Sequence, residues 1–180
     1  MFNLIFKENK NYKKNYKIKL LCYLFLAIIL VFLDQLIKNN IINKIKLEES
    51  VIIIPSFLKF THVKNYGAAY SILFKKTKLL IVFTFLILIC LVVYLIKKKN
   101  KNKNYLFSIT LIISGGLGNL IDRIIRGYVT DYINFIYGPF KYIAIFNFAD
   151  LLIVSGSILF LINFIINEFY LNNFKKRKKA

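Results

Sequence analysis

The sequence has few of the residues on which disulfide frameworks and metal sites depend. Among its 180 residues are two Cys, one His, two Pro and no Trp. Cys22 and Cys90 both lie inside apolar runs, and His62 has no Cys or paired acids at ligand spacing. We therefore expect neither a disulfide framework nor a bound metal.

Acidic residues are also scarce. The chain holds 8 Asp and Glu against 27 Lys and Arg, which gives a formal net charge of +19. The basic residues of a nucleic-acid-binding domain line one face of a soluble fold, whereas here they fill the gaps between apolar runs. We therefore do not expect nucleic acid as a partner.

Apolar residues, by contrast, are in excess. They make up 58% of the chain and the mean hydropathy is +0.58, whereas soluble domains contain roughly 45–50% apolar residues. Disordered chains are poor in aromatic and β-branched residues, so disorder is excluded by the same composition. The length allows one domain. We expect a single polytopic membrane domain covering residues 1–180.

Four apolar runs are long enough, or nearly so, to cross a membrane, since a helical span needs about 20 residues. They are Leu20–Ile37, Leu79–Ile96, Tyr105–Ile121 and Phe146–Ile166. The first run follows a basic stretch, as in a signal peptide, but Asp34 and Lys38 come where a small-residue cleavage site would be. The pattern predicts an all-α membrane protein with four transmembrane helices, the first of them uncleaved.

The positions of Lys and Arg predict the orientation of these spans. Six Lys precede the first span, five lie in the short connection 97–104, and five basic residues lie at 175–179. Connection 123–145 holds only three, although connection 38–78 holds eight in 41 residues. We expect both termini in the cytoplasm and the first and third connections outside.

The two outward connections are predicted to form a small extracytoplasmic β-sheet. Val51–Phe60 is rich in β-branched and aromatic residues, and His62–Ser71 continues the pattern with a glycine. In Val129–Phe135, alternate residues would point to opposite faces of a strand.

Four of the eight acidic residues lie at or just beyond the outer ends of the spans: Asp34, Asp122, Asp131 and Asp150. An acid next to hydrocarbon is costly and is a functional candidate by default. The third span runs outward to Asp122 and the fourth returns from near Asn147. Asp122, Asp131 and Asp150 are therefore expected to meet at one face of the membrane.

Two of these acids have structural interpretations based on their neighbours. Asp122 is adjacent to Arg123 and four residues before Arg126, the spacing of a helical ion pair, so we favour an ionised anchor. Asp131 follows Gly127, which is expected to end the helix, and is equally compatible with an ordinary loop carboxylate.

The other two acids have structural interpretations as well. Asp150 follows Asn147 by three residues, the spacing of a helix N-cap and its acidic partner, so helix initiation alone would explain it. Asp34 and Lys38 are four residues apart near the end of a span. Here the pattern favours an ion pair whose lysine reaches toward the interface.

Two carboxylates in a water-accessible rim suit one reaction class. Like charges a few Å apart cannot both ionise, so the pair shares a proton. One carboxylate then takes a proton from water while the other acid protonates the scissile carbonyl. This is the chemistry of an aspartic peptidase, which needs no metal and no cofactor.

The chain resembles the lipoprotein signal peptidase (signal peptidase II) family in five sequence boxes that occur in the family's order. They are DQLIK at 34–38, NYGAA at 65–69, GNLIDR at 118–123, VTDYI at 129–133 and FNFAD at 146–150. Together they span most of the chain. The chain departs from the family pattern at Leu151, where a small hydroxyl residue is common, and at Tyr132, where Phe is usual.

The resemblance implies a role for each matching residue. Asp131 and Asp150 match the catalytic dyad. The residues that match those shaping the site, holding substrate or supporting the dyad are Asn65, Gly67, Asn119, Arg123, Asn147 and Ala149. The structural polar residues implied are Asp34, Lys38 and Asp122.

The resemblance also implies a biological setting. The substrate would be a diacylglyceryl-modified prolipoprotein, cut before its modified cysteine by an enzyme of the bacterial cell (inner) membrane, with the active site at the extracytoplasmic face. Membrane lipids would be the other partners, no cofactor is implied, and we expect a monomer.

Two alternatives from other classes stay open on the sequence alone. In a small ion-coupled transporter or channel subunit the membrane acids would bind protons or cations, but such sites lie near the midplane on broken helices. A basic membrane scaffold for nucleic acid would bind in a salt-sensitive way and would leave the aspartates without a role.

Overall fold

The computed structural model of the chain describes residues 2–67, 76–97 and 103–177. Its elements, in chain order, are α1 (Phe2–Lys44), β1 (Ser50–Ile54), β2 (Leu58–Asn65), α2 (Thr77–Lys97), α3 (Lys103–Arg126), β3 (Val129–Phe135), a 3₁₀ turn (Gly138–Tyr142) and α4 (Phe148–Arg177). The end of the NYGAA box, at 68–69, lies outside the described residues, as does the end of the segment His62–Ser71 that was expected to continue the sheet pattern.

Each predicted span corresponds to a helix that is long and apolar enough to cross a membrane. The first three apolar runs lie inside α1, α2 and α3. The fourth was expected to begin at Phe146, but α4 begins at Phe148 because Phe146 pairs with Ile133 of β3 and Asn147 caps the helix. The prediction of four membrane helices with a small β-sheet is confirmed.

α3 is the central helix of the membrane part. In the most apolar stretch of α3, 72% of the residues are buried inside the protein. The share in the corresponding stretch is 11% in α1, 11% in α2 and 17% in α4. The outer helices expose apolar side chains such as Phe32, Phe83 and Phe164, which is the surface expected to face lipid. Polar side chains that must be kept from lipid are therefore best placed on or beside α3.

The substitution of Gly by Ala is expected to have very different effects at two adjacent glycines of α3. In Gly115→Ala the new methyl group would clash with the carbonyl oxygen of Ala149. This oxygen belongs to the backbone of α4 and cannot turn away as a side chain can. In Gly116→Ala it would lie 3.0 Å from the flexible tip of Leu88. We expect Gly115→Ala to destabilise the fold by about 1–3 kcal/mol. The gain in helix propensity, about 1 kcal/mol, should offset the small clash in Gly116→Ala.

Thermal unfolding of the two purified variants in detergent checks this expectation, with Gly116→Ala as the matched control. Equal midpoints for the two variants would contradict the packing of α3 against the start of α4.

The three strands form an antiparallel sheet in the order β1-β2-β3. The segment Val51–Phe60, which was expected to contribute to this sheet, forms a hairpin between β1 and β2, because the chain turns at Pro55–Phe57 and Ser56 takes a positive φ of 58°. β3 has the predicted bounds. Tyr132, which stands where Phe is usual, packs against Ile41 of α1 and against Ile45, which follows α1, in a core that fixes the sheet to the end of α1.

Gly127 ends α3, as predicted, and has a φ of +80°. This left-handed conformation is unfavourable for residues with a side chain, and it turns the chain from α3 directly into β3. In the antiparallel pairing of β2 with β3, Val63 lies opposite Asp131 and Asn65 lies opposite Val129. The end of α3, the start of β3 and the end of β2 are thus brought to one place.

Candidate active site

Asn147 links the two predicted catalytic carboxylates. Its side-chain nitrogen Nδ2 donates to Oδ1 of Asp131 at 2.6 Å, and its backbone N–H donates to Oδ2 of Asp150 at 3.1 Å. Asp131 lies in β3 and Asp150 in the first turn of α4. Residues that are 19 positions apart therefore accept hydrogen bonds from a single residue.

The start of α4 positions Asp150. The backbone N–H of Asp150 donates to Oδ1 of Asn147 at 3.0 Å, so the two residues cap the helix reciprocally, as their spacing predicts. This capping does not occupy the whole carboxylate, because Oδ1 of Asp150 accepts from Nδ2 of Asn119 at 2.8 Å. Leu151, which follows, is exposed, so that departure from the family pattern does not disturb the packing beside Asp150.

Asp131 is nearly enclosed, with 3% of its surface exposed. Its second oxygen, Oδ2, accepts from Nδ2 of Asn65 at 2.9 Å, and Oδ1 of Asn65 accepts in turn from the backbone N–H of Gly67. Burial raises the pKa of Asp131 to about 7, and the negative charge of Asp150 adds to the rise, while the hydrogen bonds from Asn65 and Asn147 oppose it. With this pKa, both the protonated and the ionised form of the carboxyl group are present near neutral pH.

Arg123 contacts the connection that leaves β2. Its guanidinium donates to the carbonyl oxygen of Gly67 at 3.1 Å and lies close enough to Asp150 and Asp131 to interact with their charges. The adjacent carboxylate, Asp122, forms its ion pair with Arg126 instead. Arg123 therefore bounds the site on the side of Gly67.

Beneath the site lies a cluster of four charged residues, here called the ionic cluster: Asp34, Lys38, Asp122 and Arg126. Nζ of Lys38 is 2.9 Å from Oδ2 of Asp34 and 3.2 Å from Oδ2 of Asp122. Lys38, Asp34 and Asp122 are all fully buried. The expectation that Lys38 reaches out to the interface is therefore wrong, because its ammonium group is enclosed between two carboxylates.

The ionic cluster holds the backbone next to each predicted catalytic residue. The N–H of Thr130, which precedes Asp131, donates to Oδ2 of Asp122 at 3.0 Å. The N–H of Ala149, which precedes Asp150, donates to Oδ1 of Asp34 at 3.1 Å. Each buried carboxylate thus fixes the main chain of one neighbour in the site.

Asn119 connects the ionic cluster to the site. Its Oδ1 accepts from Nζ of Lys38 at 3.0 Å and from Nδ2 of Asn147 at 3.2 Å. Because the oxygen of the amide is committed to two donors, the amide nitrogen is left to face Asp150. Lys38 therefore fixes the orientation of the Asn119 amide, so that its nitrogen faces the carboxylate of Asp150.

Gln35 is a member of this arrangement that sequence reasoning missed. Its Nε2 donates to the carbonyl oxygen of Gly118 and to Oδ1 of Asp122, both at 3.1 Å, and its Oε1 accepts from Arg126 at 3.0 Å. The available signal was its place inside the DQLIK box, next to Asp34.

Nothing in the described part of the chain gathers metal ligands: it contains no group of three or more His, Cys, Asp or Glu side chains that could hold an ion. His62 is buried in β2, and its Nδ1 lies 2.9 Å from the carbonyl oxygen of Ile45. The arrangement of the site is instead suited to proton transfer between two carboxyl groups with different surroundings.

Comparison with known proteins decides the family. The sequence model of a family described as signal peptidase (SPase) II matches residues 26–166, a range that includes every site residue named above. The chain belongs to the signal peptidase II family. It is accordingly a protease of a membrane-embedded type, and its four apolar helices make it a multi-pass membrane protein.

Individual relatives agree with this assignment. The lipoprotein signal peptidase of Streptococcus agalactiae serotype V is 41% identical over 137 residues, covering 76% of this chain and 87% of that protein. That of Clostridium tetani is 37% identical over 138 residues, covering 77% and 88%.

Two solved structures share the fold, each described as a bacterial membrane enzyme. One has a TM-score of 0.76 and 36% identity, covering 82% of this chain and 89% of its own. The other has a TM-score of 0.72 and 37% identity, covering 79% and 92%.

Proposed function

We propose that the chain is an aspartic endopeptidase that removes the signal peptide from prolipoproteins, with Asp131 and Asp150 as its catalytic dyad. The relatives named above are lipoprotein signal peptidases, which supports the substrate class. The observation that carries the mechanism is that Asn147 donates to both carboxylates, because two acids fixed by one residue are positioned to act on the same water.

Their surroundings suggest a division of labour between the two acids. Asp131 is enclosed and its pKa is raised to about 7, so it holds a proton in a large fraction of molecules at neutral pH. Asp150 lies in the first turn of α4, where the partial positive charge of the helix stabilises a carboxylate. Asp131 is therefore assigned as the general acid and Asp150 as the general base.

In the proposed reaction, Asp150 takes a proton from water as the water oxygen bonds to the scissile carbonyl carbon, and Asp131 gives its proton to the carbonyl oxygen. When the resulting diol collapses, the C–N bond breaks and the departing amine receives the proton held by Asp150. Asp131 recovers its proton from the diol. Both carboxyl groups end in their starting states, with no covalent intermediate.

The position of the site fits a lipid-anchored substrate. Both a signal helix and a diacylglyceryl group reside in the bilayer, so a site at the rim of the membrane receives them by lateral diffusion, without extraction. We place the dyad at the extracytoplasmic face and both termini in the cytoplasm, since the basic residues favour that orientation. Cleavage is proposed to occur directly before the diacylglyceryl-modified cysteine.

The test is to incubate the purified chain with a lipidated precursor and with its unlipidated twin, and to determine the product masses. We expect one cut in the lipidated precursor, before the modified cysteine, and little or none in the twin. Cleavage elsewhere, or equal cleavage of the two, would contradict the proposed substrate. Ion flux through proteoliposomes without cleavage would favour a transporter.

The pH dependence of cleavage should report Asp131. If Asp131 must be protonated, kcat/KM should fall as the pH rises through about 7, the pKa to which Asp131 is raised. Asn65 donates to the ionised form of this carboxylate, so its loss should raise the pKa further. We expect Asn65→Leu to move the alkaline limb of the pH profile to higher pH.

Asn134→Leu is the matched control for that experiment. Asn134 is also in the sheet, but its side chain donates to the hydroxyl group of Thr61 at 3.0 Å, not to Asp131. Its pH profile should match that of the unmodified chain. A limb at the same pH in Asn65→Leu and in the control would contradict the role of Asp131 as acid.

A further inference from the structure

Three side chains at the end of β2 form a stack, here called the tyrosine stack: Lys64, Tyr66 and Tyr128. The ring centroids of Tyr66 and Tyr128 are 5.7 Å apart, and Nζ of Lys64 lies 4.8 Å from the centre of the Tyr128 ring. These separations are typical of a favourable aromatic pair and of a cation–π contact. The stack lies beside the predicted active site, and the proposed reaction gives none of its members a role.

The pairing of β2 with β3 explains how the stack forms. Asn65, the last residue of β2, lies opposite Val129, the first residue of β3, so Tyr66 and Tyr128 are the next opposite pair. Lys64 is diagonal to Tyr128, and long or aromatic side chains can make contact across such a diagonal. The stack therefore continues the pairing of the two strands beyond the point where their hydrogen bonds end.

The stack holds the chain on both sides of Asn65 without occupying the face of the sheet that carries the site. Lys64 and Asn65 are consecutive residues of β2, so their side chains point to opposite faces. The amide nitrogen of Asn65 donates to Oδ2 of Asp131 at 2.9 Å. Chain ends that make few contacts open easily, and the stack supplies contacts to the residue before Asn65 and to the residue after it.

The orientation of the Asn65 amide depends on the same part of the chain. Its Oδ1 accepts from the backbone N–H of Gly67 at 2.9 Å, which leaves the amide nitrogen to face Asp131. Tyr66 is the residue between the two partners of that contact. Holding the ring of Tyr66 against Tyr128 therefore holds the turn that sets the direction of the amide.

We propose that the tyrosine stack positions Asn65, so that its amide nitrogen stays within hydrogen-bonding distance of Asp131. Tyr66 is 40% exposed and Tyr128 is half-buried, so the stack acts on local geometry more than on the core. Its effect on cleavage rests on the proposed function, whereas its effect on Asp131 does not.

Tyr128→Leu tests the proposal, because it removes the ring shared by both contacts without changing a charge. Asn65 donates to the ionised carboxylate, so weakening this hydrogen bond raises the pKa of Asp131. We expect the alkaline limb of kcat/KM to move up by roughly half a pH unit, less than in Asn65→Leu. Adding Tyr128→Leu to Asn65→Leu should cause no further shift, because the hydrogen bond on which the stack acts is already lost.

Two variants of the stack and one control complete the experiment. Tyr128→Phe keeps the ring and should leave the limb at its original pH, whereas Tyr66→Leu removes the other ring and should shift the limb upward. Tyr142→Leu is the matched control, because Nζ of Lys141 lies 5.0 Å from the centre of that ring, in the 3₁₀ turn. An unchanged limb in Tyr128→Leu, an equal shift in the control, or a further shift in the Asn65→Leu chain would overturn the proposal.

The same titration can be read without cleavage. The carbonyl band of protonated Asp131 is obtained as the infrared difference between each variant and the same variant carrying Asp131→Asn. We expect this band to persist to higher pH in Tyr128→Leu than in Tyr142→Leu, and equal titration in the two would overturn the role of the stack. Failure of every chain to cleave a lipidated precursor would contradict the proposed function alone, since the spectra decide the positioning of Asn65 independently.

Discussion

Asp131→Asn and Asp150→Asn should each reduce cleavage of a lipidated precursor by at least about 10³-fold, the scale of losses seen when one member of a catalytic group is removed. An amide at position 131 cannot donate an acidic proton, and an amide at position 150 cannot take a proton from water. The measurement is the single-turnover rate of each purified variant at saturating enzyme, which separates loss of chemistry from loss of binding.

The same variants should remain folded. An enclosed carboxyl group whose pKa is raised binds its proton more tightly in the folded chain than in the unfolded chain. It therefore lowers stability as the pH rises from about 4, the ordinary value, toward about 7. Asp131→Asn lacks this penalty and should be at least as stable as the unmodified chain at pH 8.

Glu49→Gln is the matched control for the loss of a carboxylate. Glu49 is exposed, at 3.9 Å from Lys46, and its variant should cleave at the normal rate. Normal processing by either Asp131→Asn or Asp150→Asn would refute the dyad.

Asp122→Asn should act on the fold, in contrast to the dyad variants. Asp122 is fully buried and interacts with Lys38, Arg126 and the N–H of Thr130. The ionic cluster holds two carboxylates against two cations, so removing one carboxylate leaves a buried positive charge without its partner. Breaking a buried pair in this way costs about 3–5 kcal/mol.

We expect a clear drop in the unfolding midpoint of Asp122→Asn and in the amount of folded protein in the membrane, with residual cleavage by the folded fraction. Glu49→Gln again serves as the control, because loss of an exposed ion pair costs about 0–1 kcal/mol. A fully stable Asp122→Asn enzyme without activity would instead assign Asp122 to the catalytic dyad.

Much of the fold could be predicted because its signals are local. Apolar runs of nearly 20 residues, the alternation in Val129–Phe135, the glycine at 127 and the three-residue spacing of Asn147 and Asp150 each depend on a few neighbouring residues. Local signals fix element type and approximate bounds. At the start of α4 the predicted boundary was two residues too early, because Phe146 continues the apolar run but pairs with Ile133 of β3 instead of joining the helix.

The contacts of the site could not be predicted, because they join residues far apart in sequence. Lys38 and Asn119 are 81 positions apart, and Asn65 and Asp131 are 66 apart. Spacing along α3 did indicate Arg126 as a partner of Asp122, but it gave no sign of the second partner, Lys38 of α1. The burial of Lys38 was missed for the same reason, since a single helix does not reveal that α3 covers it.

The arrangement places carboxylates of two kinds side by side. Asp34 and Asp122 face Lys38 and each accept a hydrogen bond from the backbone of a residue next to the dyad. Asp131 and Asp150 meet mainly amide donors, from Asn65, Asn119 and Asn147. These neutral donors orient the two carboxylates, neither of which forms a salt bridge within the described residues.

The central claim is that Asp131 is the member of the proposed dyad that carries a proton near neutral pH, and infrared difference spectroscopy tests it most directly. The unmodified chain minus Asp131→Asn should show the carbonyl band of a protonated carboxylic acid at pH 6, and this band should disappear as the pH rises through about 7. A difference spectrum without that band at pH 6, or one that titrates near the ordinary aspartate pKa of about 3.9, would contradict it.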